Sequence, residues 1–71
     1  MAPIRPGVYR HFKGNLYRVL FTAQHSETRE ELVVYQALYG EQGYWVRPAA
    51  MWRETINRDG YSGPRFTWVE L

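Results

Sequence analysis

The sequence has no cysteine. That absence removes disulfides, thiolate nucleophiles and cysteine zinc sites together, and it fits a reducing compartment. Lysine is nearly missing as well, since eight of the nine basic residues are arginine and only Lys13 is not. No segment approaches the roughly 20 apolar residues that a membrane-crossing helix needs. The opening MAPIRPG carries no apolar run behind its arginine, so no signal peptide is expected. There is no glycine-rich phosphate cradle: Gly40-Glu41-Gln42-Gly43 places an acid where a phosphate needs donors. Repeats, low-complexity tracts and linkers are also lacking. The net charge of +2 is too small to demand a polyanionic partner by itself.

What is present is short, aromatic and rich in arginine. The 71 residues suffice for one domain, taken as 1–71. A chain of this size buries only about 60% of its unfolded surface. Arginine offers a planar fork for carboxylate or phosphate and stacks on rings, which lysine does poorly. The plainer origin of the bias is codon usage in a GC-rich genome. Aromatics make up 17% of the chain, and a small β core needs such bulk.

Gly7 to Phe12 and Leu16 to Gln24 read as two strands, rich in β-branched and aromatic residues. A two-residue loop at Gly14-Asn15 pairs Phe12 with Tyr17, His11 with Arg18, Arg10 with Val19 and Val8 with Phe21. One face then carries Val8, Phe12, Tyr17, Val19, Phe21 and Ala23, the expected core side. The other carries Tyr9, His11, Lys13, Leu16, Arg18 and Leu20. A three-residue loop would swap the faces on one strand. Thr28 followed by Glu31 spells a capping box, so a helical turn is expected within His25 to Glu31.

Leu32 to Tyr39 is the strongest strand, and the Gly40–Gly43 turn returns it as Tyr44 to Pro48. Pairing Tyr39 with Tyr44 sets Gln36 opposite Arg47, both toward solvent, with Val33, Tyr35, Ala37 and Val46 inward. Within Met51 to Ile56 the spacing favours a short helical turn over a strand. Asn57 to Pro64 reads as a loop, with Asp59-Gly60 and Gly63-Pro64 as turn signals, and Arg65 to Val69 as a last strand. Five short strands with tight turns predict a mostly β fold, a small, strongly bent antiparallel barrel with at most one helical turn.

The strings YRHFKGNLYRVL, AQHSET, LVVYQALYG, WVRPAAMW and DGYSGPRF, in this order, resemble the bacterial family catalogued as domain of unknown function 1653. The resemblance covers about residues 7 to 67. Trp52 stands where that family's pattern leads one to expect phenylalanine. The resemblance implies an SH3-like barrel and a bacterial, stand-alone protein. It implies no substrate, cofactor or catalytic residue.

His25-Ser26-Glu27 invites a nucleophile–base reading, but neighbours on an extended chain point to opposite faces, so no catalytic residue is expected there. Serine and threonine beside glutamate are ordinary turn formers. His11 and His25, with Glu27, lack the spacing of a metal site, and no metal or cofactor is expected. The constellation with chemical content is Tyr9, His11, Lys13 and Arg18 on one face of the first hairpin, beside Gln36, Trp45 and Arg47. Tyr9, His11, Arg18, Trp45 and Arg47 are the candidate ligand-binding residues. Aromatics interleaved with arginine and histidine can stack bases, clamp a carboxylate or receive an extended peptide. The alternative is packing, with arginines lying across rings that a small domain cannot bury. Arg65 after Pro64 is a second candidate, with Asp59 or Glu54 as its ion-pair partner.

These features point to a non-catalytic, cytoplasmic binding module for a peptide or a nucleic acid or nucleotide, not a membrane, acting as a monomer or weak homo-oligomer. A small hydrolase-type enzyme or a subunit of a larger assembly is the alternative.

Overall fold

The computed structural model describes residues 4–69. The chain runs β1 (Gly7–His11), β2 (Leu16–Gln24), β3 (Glu31–Ala37), β4 (Tyr44–Pro48), α1 (Ala49–Trp52), β5 (Thr55–Arg58), β6 (Tyr61–Pro64) and β7 (Phe66–Trp68). The fold is mostly β and antiparallel, with one short helix, as expected. It is not a closed five-stranded barrel. One sheet has the order β4-β3-β2-β1-β7, and β5 and β6 form a separate two-stranded sheet. β4 and β7 are the two edges of the larger sheet, so the sheet curls without closing. No helix among the described residues is long and apolar enough to cross a membrane.

Both long hairpins depart from the expected register by three positions, and for the same reason: their loops are longer. In the first, the Gly14 N–H donates to the His11 carbonyl at 2.7 Å and the His11 N–H donates to Asn15 at 2.8 Å. The loop is therefore Phe12-Lys13-Gly14, a turn followed by a positive-φ residue, Gly14 at 108°. Tyr9 now pairs with Tyr17 and Val8 with Arg18. An odd shift exchanges the faces of one strand. Tyr9 and His11 join Tyr17 and Val19 on the inner face; Val8 shares the opposite face with Arg18 but is buried as expected, at 5% exposure. In the second hairpin the Ala37 N–H reaches the Gly43 carbonyl at 3.0 Å, and Gln36 pairs with Tyr44. Val33, Tyr35 and Ala37 are buried as expected. Val46 instead points outward, 58% exposed, and Trp45 and Arg47 turn to the inner face.

A bulge at Leu20 completes the change. Val19 pairs with Tyr35 but Phe21 pairs with Val34, so the pleat loses a step. Val19 is buried while Phe21, expected inside, is 55% exposed, and Ala23 is exposed too. The bulge and the strand twist curl the sheet around α1, whose Ala49 and Trp52 are buried.

The core joins Val19, Val33, Tyr35, Ala49, Trp52 and Phe66. Trp52 and Phe66 stack at 3.6 Å between centroids with 4° between planes. Tyr9 and Tyr35 meet Trp52 at 5.4 and 5.1 Å. Burying an aromatic of this size stabilises by roughly 1.5–3 kcal/mol.

The segment expected to hold a capped helical turn is the β2–β3 hairpin loop, and it does contain one such turn, closed by the Arg29 N–H donating to the His25 carbonyl at 2.9 Å. The His25 ring, not Thr28, organises it: Nδ1 accepts the N–H groups of Glu27 and Thr28 at 3.1 and 3.3 Å. Thr28 Oγ1 accepts the Glu30 N–H, at 3.2 Å, and Arg29 sits at φ 63°. The short helix lies earlier than the expected Met51 to Ile56, because Thr55 and Ile56 open β5. Asn57 to Pro64, expected as a loop, is mostly the β5–β6 hairpin. Its turn is the foreseen Asp59-Gly60, both at positive φ.

Candidate functional site

The inner face of the curled sheet carries a row of rings from β1 to β3. His11 meets Phe66 at 5.1 Å and Tyr17 at 6.3 Å, and Tyr17 meets Phe66, Tyr35 and Tyr39 at 5.8, 5.5 and 5.5 Å. The Tyr17 and Tyr39 hydroxyls share a hydrogen bond of 2.8 Å. Burial, reinforced by that bond, pushes the Tyr17 phenol up to about 12.

Basic side chains from four segments converge on His11. Burial lowers its pKa first, and the positive charges of Arg65, Arg47, Lys13 and Arg58 lower it further. No carboxylate is among the groups that shift it. His11 Nδ1 accepts the Lys13 N–H at 3.1 Å, so the neutral ring carries its proton on Nε2.

The packing of the cations explains their placement. Phe12 stacks on Tyr61 at 5.4 Å, tying the first hairpin loop to the β5–β6 hairpin. Lys13 and Arg58 lie near the Phe12 ring, at 5.9 and 5.5 Å from its centroid. Arg47 reaches from β4 to within 5.7 Å of the Phe66 centroid on β7. Arg65 pairs with Glu54 at 3.2 Å, one of the two partners foreseen, and leaves its Nε buried without a protein acceptor. Beside the ring row lies an open pocket of about 250 Å³, lined by Ala37, Tyr39, Gly40, Glu41, Gln42, Gly43 and Trp45. Tyr39 belongs to both. Such a surface can hold an anion against several donors with a ring beside it.

Residues 7–68 match the family described as proteins of unknown function, DUF1653. This chain belongs to that family. A crystal structure of a DUF1653 protein from Bordetella bronchiseptica is similar throughout, with 43% identity, a TM-score of 0.85, and coverage of 93% of this chain and 87% of that one. Among curated proteins none matches. The DUF1653 name carries no activity.

Of the residues singled out in the sequence, His11, Trp45 and Arg47 share the inner face of this DUF1653 sheet. Tyr9 is on that face too, but it is enclosed between Trp52 and Trp68, each 5.4 Å away edge-on, and its hydroxyl donates to the Arg5 carbonyl at 2.9 Å. Burial raises its pKa. Arg18, opposite Val8 and Gln36, stands on the outer face, away from the others. The expected strip is thus divided between two faces. Sequence reasoning missed Tyr17, Tyr39 and Phe66, each read as strand or core. The signal that could have found them was the three-residue loop, which puts His11 and Tyr17 on one face. His25 has its Nδ1 occupied by the turn, and no cluster of three metal-ligating side chains exists among the described residues.

Proposed function

We propose that this chain is a non-catalytic binding module whose inner-face site takes an anionic ligand with a planar ring, the chemistry of a nucleotide or a short nucleic-acid segment. The observation that supports this reading is the charge around His11. Four cations act on it, of which Arg65 is paired with Glu54, and no carboxylate is among the groups that shift its pKa, although the whole chain carries only +2. Phosphate satisfies such a cluster better than a single carboxylate, because it offers more acceptor oxygens and more charge. Trp45, 60% exposed and on the same face of β4 as Arg47, supplies a ring face, and Tyr39 lines the same pocket as Trp45. The pocket of about 250 Å³ has room for one ring rather than an extended peptide. Against catalysis stands the engagement of both histidine Nδ1 atoms with backbone N–H groups.

The test is a tryptophan fluorescence titration with adenosine monophosphate, inorganic phosphate and adenosine. The monophosphate should bind saturably and more tightly than either part, and Arg47→Glu should weaken it at least tenfold, a change of about 1.4 kcal/mol. Absence of saturation, or equal binding by Arg47→Glu, would overturn the reading. Preference for a carboxylate-bearing peptide would reassign the partner.

A further inference from the structure

The β4 edge, which also carries Trp45 and Arg47 of the ligand site, presents a second feature. Tyr44, Trp45 and Val46 are consecutive, and they are 68%, 60% and 58% exposed, so both faces of this edge strand present apolar surface. Its only strand partner among the described residues is β3. The Ala37–Gly43 bond sets the alternation: Trp45 and Arg47 turn their backbone groups toward β3, and Tyr44 and Val46 turn theirs outward. An edge with free donors and exposed aromatics is a template for another strand.

We propose that this edge pairs with β4 of a second copy of the chain, antiparallel and two-fold symmetric about Val46. The occupant follows from self-complementarity, which an isologous interface requires. Centring the axis on Val46 makes Val46 and the partner's Val46 a hydrogen-bonded pair that exchanges both N–H···O bonds. The Tyr44 N–H then meets the carbonyl of the partner's Pro48, and the ring of Pro48, which has no N–H, ends the ladder. On the inner face Trp45 stands opposite the partner's Arg47, aromatic against cation, in the closer non-hydrogen-bonded register. On the outer face the apolar row Phe21–Val34–Val46, each neighbour paired across the sheet, continues into the partner's Val46 without a break. Shifting the axis by one residue would set Trp45 against itself or Arg47 against itself and lose this match. The contact is small beside the roughly 800 Å² per partner of stable interfaces, so the dimer is concentration-dependent.

The test joins sedimentation to cross-linking. From about 10 μM to about 1 mM, where small contacts associate, the apparent mass should rise from 8.5 kDa toward twice that value. Val46→Pro removes an outward N–H and leaves the bonds to β3; Val46→Lys adds charge and keeps the backbone. Either variant should weaken association at least tenfold with circular dichroism unchanged, and the second serves if the first fails to fold. Because the chain lacks cysteine, Val46→Cys gives one thiol per copy, and the Cα separation of about 5.5 Å in such a pair suits a disulfide. Val46→Cys should cross-link on mild oxidation and Phe21→Cys should not. A monomer at every concentration, unweakened association in both Val46 variants, or cross-linking through Phe21→Cys alone would overturn the proposal.

Discussion

Arg47 and Phe66 belong to strands at opposite edges of the same sheet, yet the guanidinium lies 5.7 Å from the ring centroid. The curl of the sheet therefore brings its two edges together through side chains rather than backbone pairing. His11 sits on the same ring at 5.1 Å and is held away from protonation by burial and by the cations around it.

Replacing Arg47 by glutamine should raise the His11 pKa toward its ordinary value, because one of the opposing charges is lost. The cost in stability should be about 0.5–1 kcal/mol, the range of an exposed cation–π contact. Histidine proton shifts followed through a pH titration of both proteins would measure the first effect. Denaturant midpoints would measure the second.

Stability should depend on pH at both ends of the scale. The folded His11 pKa lies below the unfolded value of about 6.5, so acid protonates the unfolded chain first and stability falls as pH drops below that value. The folded Tyr17 phenol lies at about 12, above the unfolded value of about 10. Its contribution is present below pH 10 and is lost as pH rises toward 12. Urea midpoints across this range, with His11→Gln and Tyr17→Phe as controls, should show each slope reduced in the matching variant.

Gly7 should tolerate no side chain. Its φ is 141°, and a Cβ there would run into the Trp68 ring, which also carries the Arg5 guanidinium at 3.6 Å. Gly7→Ala should cost about 1–3 kcal/mol from backbone strain, before any displacement of the ring. Gly14 has the same backbone requirement but open space around it, so Gly14→Ala should cost less than Gly7→Ala. Parallel thermal melts check the order.

His25→Ala should cost about 1 kcal/mol, as loss of a side-chain cap does, because two backbone N–H groups lose their acceptor. Thr28→Ala should cost less than His25→Ala, since Thr28 Oγ1 serves one N–H. Equal midpoints for wild type and His25→Ala would show that the ring does not hold the turn.

Trp52→Ala should cost about 3–5 kcal/mol, and Trp52→Phe should fold, since the ring fills the space against Phe66 and a smaller aromatic keeps the stack. Near-ultraviolet circular dichroism and denaturant curves on the two variants distinguish them.

Strand positions were legible because period-two apolar runs such as Val33, Tyr35 and Ala37 carry them directly. Side-chain faces were not. At Gly14 the glycine was correctly read as a positive-φ residue, but the same glycine serves a two-residue or a three-residue loop, and one choice inverts His11. At Leu20 the bulge left no mark in composition, so Phe21 looked buried. The site suffered from both: His11 and Arg47 were recognised as residues with chemistry, and their meeting over Phe66 depends on loop length and sheet curl. The β5–β6 hairpin was missed because TINR and YSGP have too few apolar residues to alternate.

The direct test of the inner-face site is the titration of His11 with and without saturating adenosine monophosphate. An anion among Arg47, Arg65, Lys13 and Arg58 offsets the charges that lower the His11 pKa, so its pKa should rise on binding, and affinity should increase as pH falls through that pKa. A His11 pKa identical with and without ligand would contradict the account.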